Sequence, residues 1–225
     1  MPELPDILAY LTGLQQQIGD RPLKGVQLRS PFLVRTPLPP LESAVGRRVT
    51  DFRRIGKRVV WCLEDDLFLV FHLMIAGRFH LKKPGTRPTR KIDLLALHFD
   101  EITVMITEAG SKKRASLHLV EGEQGLAEHD PGGLEVLEAD LAAFTDTLQR
   151  RNHTLKRALT DPRLFSGIGN AYSDEILHAA GLSPVKWTSR LTPDEVARLF
   201  AATQDTLHSW CERLRVEAQA AFPEK

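Results

Sequence analysis

The sequence predicts a two-domain α+β protein, β-rich in its first half and all-helical in its second. Three observations carry that expectation. Through residues 26–120 the apolar residues alternate or fall in brief runs, the pattern of strands about five or six residues long. Beyond residue 134 they recur at helical spacing. Between the two regimes lies an acidic, glycine-containing stretch from Glu121 to Pro131.

The first element is a helix, because Leu4, Ile7, Leu8, Leu11, Leu14 and Ile18 share one helical face and Gly19 ends the run. Pro5 is tolerated there, since first-turn amides lack an intrahelical partner. Strands are then expected at Val26–Arg29, Val49–Arg54, Arg58–Leu63, Phe68–Met74, Arg78–Leu81, Leu94–Phe99, Ile102–Thr107 and Leu117–Val120. Glu64-Asp65-Asp66, Lys83-Pro84-Gly85 and Asp100-Glu101 supply turns between them. Many short strands after one helix suggest a β-sandwich or barrel with helical decoration. Residues 122–133 read as a linker between an N-terminal domain, 1–121, and a helical domain, 134–225. In the latter, Leu134, Leu137, Leu141 and Phe144 mark one helix, Leu155, Leu159 and Leu164 a second, and Ala171–Ala180 a third closed by Gly181. Thr192-Pro193-Asp194-Glu195 opens a long last helix with a capping threonine and a proline in its first turn.

Composition excludes several classes. At 42% hydrophobic and 26% charged, the chain has enough apolar residues to build a core, so disorder is excluded. No run of about 18 apolar residues exists to span a membrane. Met1-Pro2-Glu3 is not the basic-then-apolar opening of a signal segment, so a cytoplasmic location is expected. Cys62 and Cys211 form neither a disulfide framework nor a zinc ligand set, and no metal is expected in this chain. The net charge of +1 does not by itself suggest a polyanion partner, but it hides local clusters. Arg47, Arg48, Arg53, Arg54, Lys57 and Arg58 form one; Arg78, Lys82, Lys83, Arg87, Arg90 and Lys91 a second; Lys112-Lys113-Arg114 a third. They fit either solvated, edge-protected strands or one phosphate-facing surface.

Three places carry residues suited to chemistry. Removal of Met1 would leave Pro2 as a free secondary amine. With an α-amine pKa near about 8, part of it is neutral and able to attack an aldehyde-like carbon. Glu3 beside it can shuttle protons, although Pro2 equally suits a helix start. Phe165-Ser166-Gly167-Ile168-Gly169-Asn170, between two predicted helices, offers a glycine hairpin with unobstructed amides. It can cradle a phosphate at a helix N-terminus, with Asn170 as cap or phosphate ligand, or simply join two helices. Ile55-Gly56-Lys57-Arg58 places a lysine on a hairpin tip, and His72-Leu73-Met74-Ile75-Ala76-Gly77-Arg78 offers an apolar residue that fits either a core or a wedge between bases.

Taken in order and spacing, these motifs resemble the formamidopyrimidine-DNA glycosylase / endonuclease VIII family across nearly the whole chain. Met1-Pro2-Glu3-Leu4-Pro5-Asp6 and Gly167-Ile168-Gly169-Asn170 are the most specific pair. The resemblance implies an N-terminal β-sandwich with flanking helices, and a C-terminal domain with a helix–two-turn–helix motif. It implies Pro2 as Schiff-base nucleophile, Glu3 as acid/base at the sugar, and Lys57 at a phosphate and in the elimination step. Lys57, His72, Ile75, Arg78, Lys156, Gly169 and Asn170 become the DNA-facing set, with Ile75 in the place of an intercalating methionine. The implied partner is double-stranded DNA with damaged bases or abasic sites, bound by a monomer, and the implied activity is excision of oxidised bases followed by β-elimination.

Three departures temper it. The chain ends at Ala221-Phe222-Pro223-Glu224-Lys225, where the family's zinc finger begins, so zinc is expected only if such a finger exists beyond residue 225. The family's Asp-Pro-Arg-Arg-Phe-Gly segment reads Glu108-Ala109-Gly110-Ser111-Lys112-Lys113-Arg114-Ala115, without an aromatic. Leu-Gly-Met-Ser-Gly reads Leu73-Met74-Ile75-Ala76-Gly77. A DNA-binding paralogue that recognises lesions or abasic sites without base excision is therefore the alternative. A small-molecule enzyme using an N-terminal amine would need neither the glycine hairpin nor the basic clusters.

Overall fold

In the computed structural model, which describes residues 1–224, the amphipathic N-terminal segment forms α1, Leu4–Ile18. Its buried side, including Ile7, Leu14 and Ile18, joins the main core. Eight strands follow: β1 Gly25–Leu28, β2 Val49–Ile55, β3 Arg58–Leu63, β4 Leu67–His72, β5 Gly77–Lys82, β6 Asp93–His98, β7 Thr103–Glu108 and β8 Ser116–Glu121. They form two four-stranded antiparallel sheets, ordered β1-β6-β7-β5 and β2-β3-β4-β8. The sheets face each other over a core that includes Val59, Trp61, Leu69, Phe71, Phe79 and Leu97. The choice the sequence left open is thus a sandwich.

β3 and β4 read as unbroken apolar runs because they are buried on both faces. One face meets the sandwich core. On the other, Val60, Cys62, Phe68 and Val70 pack under Leu126. Leu126 belongs to α2, Gly122–Ala127, so part of the segment expected as a linker is helical and covers a sheet. Its composition hid this, because a six-residue helix with two glycines has little propensity of its own.

The helical half contains α3 Leu141–Gln149, α4 Leu155–Thr160, α5 Asn170–Ala180 and α6 Pro193–Ala220. Their core includes Phe144, Leu148, Leu155, Phe165, Ile176, Leu199 and Leu207. Four expectations are corrected here. Leu134 and Leu137 precede α3, which starts after Asp140 caps the amide of Ala143, and Leu134 instead bridges to Phe165. Leu164 lies beyond α4. Met74 leaves β4 and sits in a turn at φ +54°. The cap of α5 is Gly169, and Asn170 is its first helical residue.

α6 packs along both α1 and α5, so the last helix binds the N-terminal domain to the helical one. After α6 the chain turns back onto the sandwich. Phe222 lies against Tyr10 and fills the space left by Gly13, and Glu224 accepts the Leu81 amide at the edge of β5. Lys225, the final residue of the predicted helical domain, lies outside the described residues. Among the described residues no helix is long and apolar enough to cross a membrane.

Candidate active site

The three motifs that are far apart in sequence meet where the two domains face each other. Glu3 is the residue just before α1, held by its amide donating to the Asp6 carboxylate at 2.8 Å. Its side chain is 2% exposed and points at the N-terminus of α5. The carboxylate accepts the amides of Gly169 at 2.7 Å, Ala171 at 2.9 Å and Tyr172 at 3.1 Å. Those first-turn amides have no partner within α5, and the helix dipole there favours a negative group. A carboxylate has about four acceptor directions, so about one remains for a substrate hydroxyl or water.

The glycines are sterically required at this junction. A Cβ on Gly169 would stand 2.4 Å from Glu3 Oε1. Gly167 has φ +78°, and a Cβ there would meet Leu4 at 2.7 Å. The amide of Leu4 donates to the Gly167 carbonyl at 2.9 Å. The N-terminus and the glycine hairpin are thus one unit. Pro2 is buried in it while Met1 is exposed. With Met1 attached, the Pro2 nitrogen is an amide, and it becomes a secondary amine only when Met1 is removed.

The third part is the β2–β3 hairpin. Gly56, at φ +57°, makes the tight turn that projects Lys57. Lys57 Nζ donates to the Ile168 carbonyl at 2.9 Å. Burial pushes the Lys57 ammonium below its ordinary pKa, and nearby Glu3 opposes that shift. Arg54, on the same hairpin, was visible in the sequence only as one of a basic cluster. Its guanidinium donates to the Gly56 carbonyl at 2.8 Å, to Ser166 Oγ at 3.1 Å and to the Glu135 carboxylate. It therefore ties the lysine hairpin to the glycine hairpin from below.

The remaining expected residues lie on β4, the β4–β5 turn, β5, α4 and α5. Ile75 is 60% exposed at the tip of the β4–β5 turn. Arg78 donates to the carbonyls of Ile75 and Gly77, at 3.2 Å and 2.7 Å, and so stiffens that turn. Half-buried His72 ends β4. Asn170 is exposed at the start of α5. Lys156, on α4, is paired with Asp174 of α5. A residue the sequence did not single out, Glu108, is 2% exposed and accepts the amides of Arg114 at 2.9 Å and Ala115 at 3.2 Å. It folds the basic loop 109–114 into a tight turn beside the Ile75 turn, with Gly110 against Ala76.

Cys62 is in β3 and Cys211 in α6, and among the described residues no three His, Cys, Asp or Glu side chains come together as a metal site requires.

The sandwich, the helical domain and a buried carboxylate capping a helix across their junction define a two-domain fold with its candidate catalytic centre between the domains. Comparison with known proteins gives it a family. Residues 1–114 match the formamidopyrimidine-DNA glycosylase N-terminal domain, and residues 133–218 match the formamidopyrimidine-DNA glycosylase H2TH domain. The chain is 31% identical over 212 residues to the formamidopyrimidine-DNA glycosylase of Chloroflexus aurantiacus, covering 92% of this chain and 75% of that protein. It is 28% identical to that of Mycoplasma genitalium, covering 87% and 70%. The solved structure of Lactococcus lactis Fpg with an abasic-site DNA superposes with a TM-score of 0.86, at 24% identity, over 93% of this chain and 79% of that one. The chain belongs to the formamidopyrimidine-DNA glycosylase family.

Proposed function

We propose that this chain excises damaged, oxidised bases from double-stranded DNA and then cleaves the strand at the abasic site. The supporting observation is the meeting of Pro2, Glu3 and the Gly169–Tyr172 amides with Lys57 in one interdomain centre. The relatives' names and the DNA in the solved neighbours support the same reading.

The target nucleotide first leaves the stack, since its C1′ is out of reach inside the duplex. The Pro2 nitrogen, freed of Met1, attacks C1′. The bond to the base breaks, and the base leaves with a proton. The sugar ring opens to give an iminium between Pro2 and C1′. Glu3, fixed by three amides, uses its remaining acceptor direction to move protons at the sugar. The iminium acidifies the C2′ proton, whose loss expels the 3′-phosphate by β-elimination. Water then releases Pro2. Lys57 and the Gly169–Asn170 turn face the phosphates from the sandwich and the helical domain, a positioning role without sequence readout. His72, Arg78 and Lys156 extend that phosphate-facing surface, and Ile75 fills the gap left by the extruded nucleotide. The chain acts as a monomer.

Borohydride trapping on abasic-site DNA tests this. The mature chain should give a covalent adduct; Pro2→Gly, whose primary amine is less well placed, should give much less, and a chain with a blocked N-terminus none, while both still bind DNA. A normal adduct from a blocked N-terminus overturns the mechanism. The loop at 109–114 lacks an aromatic, which favours a second reading, a lesion-binding paralogue. Binding without any adduct would support it.

A further inference from the structure

The outer face of the sheet β2-β3-β4-β8 carries an imidazole cluster of which the mechanism above uses only His72. Val70 pairs with His118 and His72 with Ser116, so His72 and His118 are diagonal neighbours on one face. Val59 pairs with Phe71, which places Arg58 one step on, beside His72. The chain returning from α2 lays His129 onto His118, with ring centroids 4.6 Å apart. All four side chains are half-buried, and Arg58 directly follows Lys57. Among the described residues, imidazole hydrogen bonds are made by His80 and His98, not by these three rings.

The charges around them are mostly positive. Burial, then Arg58, Lys57 and His118, push His72 down to about 4. Burial, His129, Arg58 and Arg35 push His118 to about 4. His129 is lowered by burial and Arg58, with Glu128 opposing. Asp130 faces Arg58. The cluster is thus a set of unspent donors held neutral beside an arginine, open at its surface and contiguous with the Lys57 hairpin.

We propose that Arg58, His72, His118 and His129 form a phosphate site that takes up a proton as it binds a DNA backbone phosphate beside the Lys57 hairpin. The inference rests on the DNA-cleaving reading above. The resemblance already suggested His72 for the backbone; the adjacent, tilted pair His118–His129 and its proton are new. A phosphodiester anion favours imidazolium, whose two ring nitrogens both donate. Like-charge repulsion between rings whose centroids are 4.6 Å apart limits His118 and His129 to about one shared proton. The sign follows. Phosphate raises the histidine pKa values in the complex above those of the free protein, so affinity is flat at high pH and rises as pH falls through the bound-state values.

The test uses the full chain and a duplex with an uncleavable abasic analogue. Affinity is read by fluorescence anisotropy between about pH 8 and about pH 5.5, the span in which histidines ordinarily titrate. Calorimetry in two buffers of different ionisation enthalpy counts the protons taken up. We expect a gain of about three- to tenfold toward low pH, since one fully linked proton gives at most about tenfold per pH unit. His118→Leu/His129→Leu, which keeps bulk and removes titration, should lose most of that gain. A double variant with the original pH slope, or no proton uptake by the unsubstituted chain, overturns the site. The calorimetric count decides even if the double variant does not fold. Binding without proton linkage overturns this inference alone, whereas no DNA binding at any pH overturns the functional reading beneath it.

Discussion

At the scale of single residues, the site is built on one carboxylate and the two glycines that let it approach. Gly169→Ala would drive a methyl to 2.4 Å from Glu3 Oε1. The carboxylate or the start of α5 must then shift, at a cost of about 1–3 kcal/mol, the range for overpacking. Urea denaturation of the variant should show that loss, and base excision should fall with it, because the misplaced group is the one proposed to move protons. Unchanged stability would mean the junction is looser than its geometry. Glu3→Gln tests the same contact through charge. A carboxamide presents one oxygen and two N–H donors to three amide donors, so at least one donor–donor conflict arises. Base excision should fall further than lyase activity on a ready-made abasic site, since an aldehyde needs less acid–base help than an intact glycosidic bond. Equal losses on both substrates would remove Glu3 from its special role at the base-release step.

At the scale of elements, two hairpins and two helices form the candidate centre, and Arg54 links the two hairpins. Its side chain is 14% exposed, and its partner Glu135 belongs to the segment that enters the helical domain. Removing it leaves Glu135, Ser166 Oγ and the Gly56 carbonyl short of a donor. Arg54→Ala should lower stability by about 1–3 kcal/mol, the range for losing hydrogen bonds to a charged group. It should also slow strand cleavage without touching substrate. Arg54→Lys should recover less than half of that loss, because one ammonium cannot reproduce the guanidinium fork toward three acceptors. Paired stability and cleavage measurements on both variants check this. Full rescue by lysine would show that charge alone suffices. The 109–114 loop follows the same logic at a different place: the buried Glu108 carboxylate gives it its shape, while its lysines and arginine give it charge.

At the scale of the whole molecule, the domains are fastened by α1 against α6 and by the returning segment at Phe222 and Glu224. His72 and His118 give the stability of the folded chain a pH dependence. His72 and His118 are held down to about 4 in the folded chain, against about 6.5 when unfolded. Above about pH 6.5 both states hold them neutral, and stability is unaffected. As pH falls from there toward about 4, the unfolded chain binds protons that the folded chain refuses, so stability falls. Asp93 and Asp161, held below the usual carboxylate range, add to the loss only at still lower pH. Half exposure of His118 screens its share. Thermal midpoints should therefore be level above neutrality and decline through the acidic window, less steeply in His118→Leu. A level midpoint down to about pH 4.5 would contradict the neutral state of these rings.

Most of the strands and helices are legible in the residue pattern alone. Alternation through residues 49–120 and turn residues at Gly56 and Gly85 mark strands and their joints, because such preferences act over a few residues. Pro2, Glu3, Lys57 and Asn170 stood out as local motifs for the same reason. Which of these residues meet depends on packing. Glu3 caps a helix 166 residues away, and no periodicity records that pairing. The helix at Gly122–Ala127 forms because Leu126 has a sheet to cover, not because its residues favour helix. The particular roles of Arg54, Glu108 and the His118–His129 pair are not legible in the sequence, because they lie in burial and in partners on other elements. Those are properties of the packed molecule, where desolvation and fixed distance turn ordinary surface residue types into positioned groups.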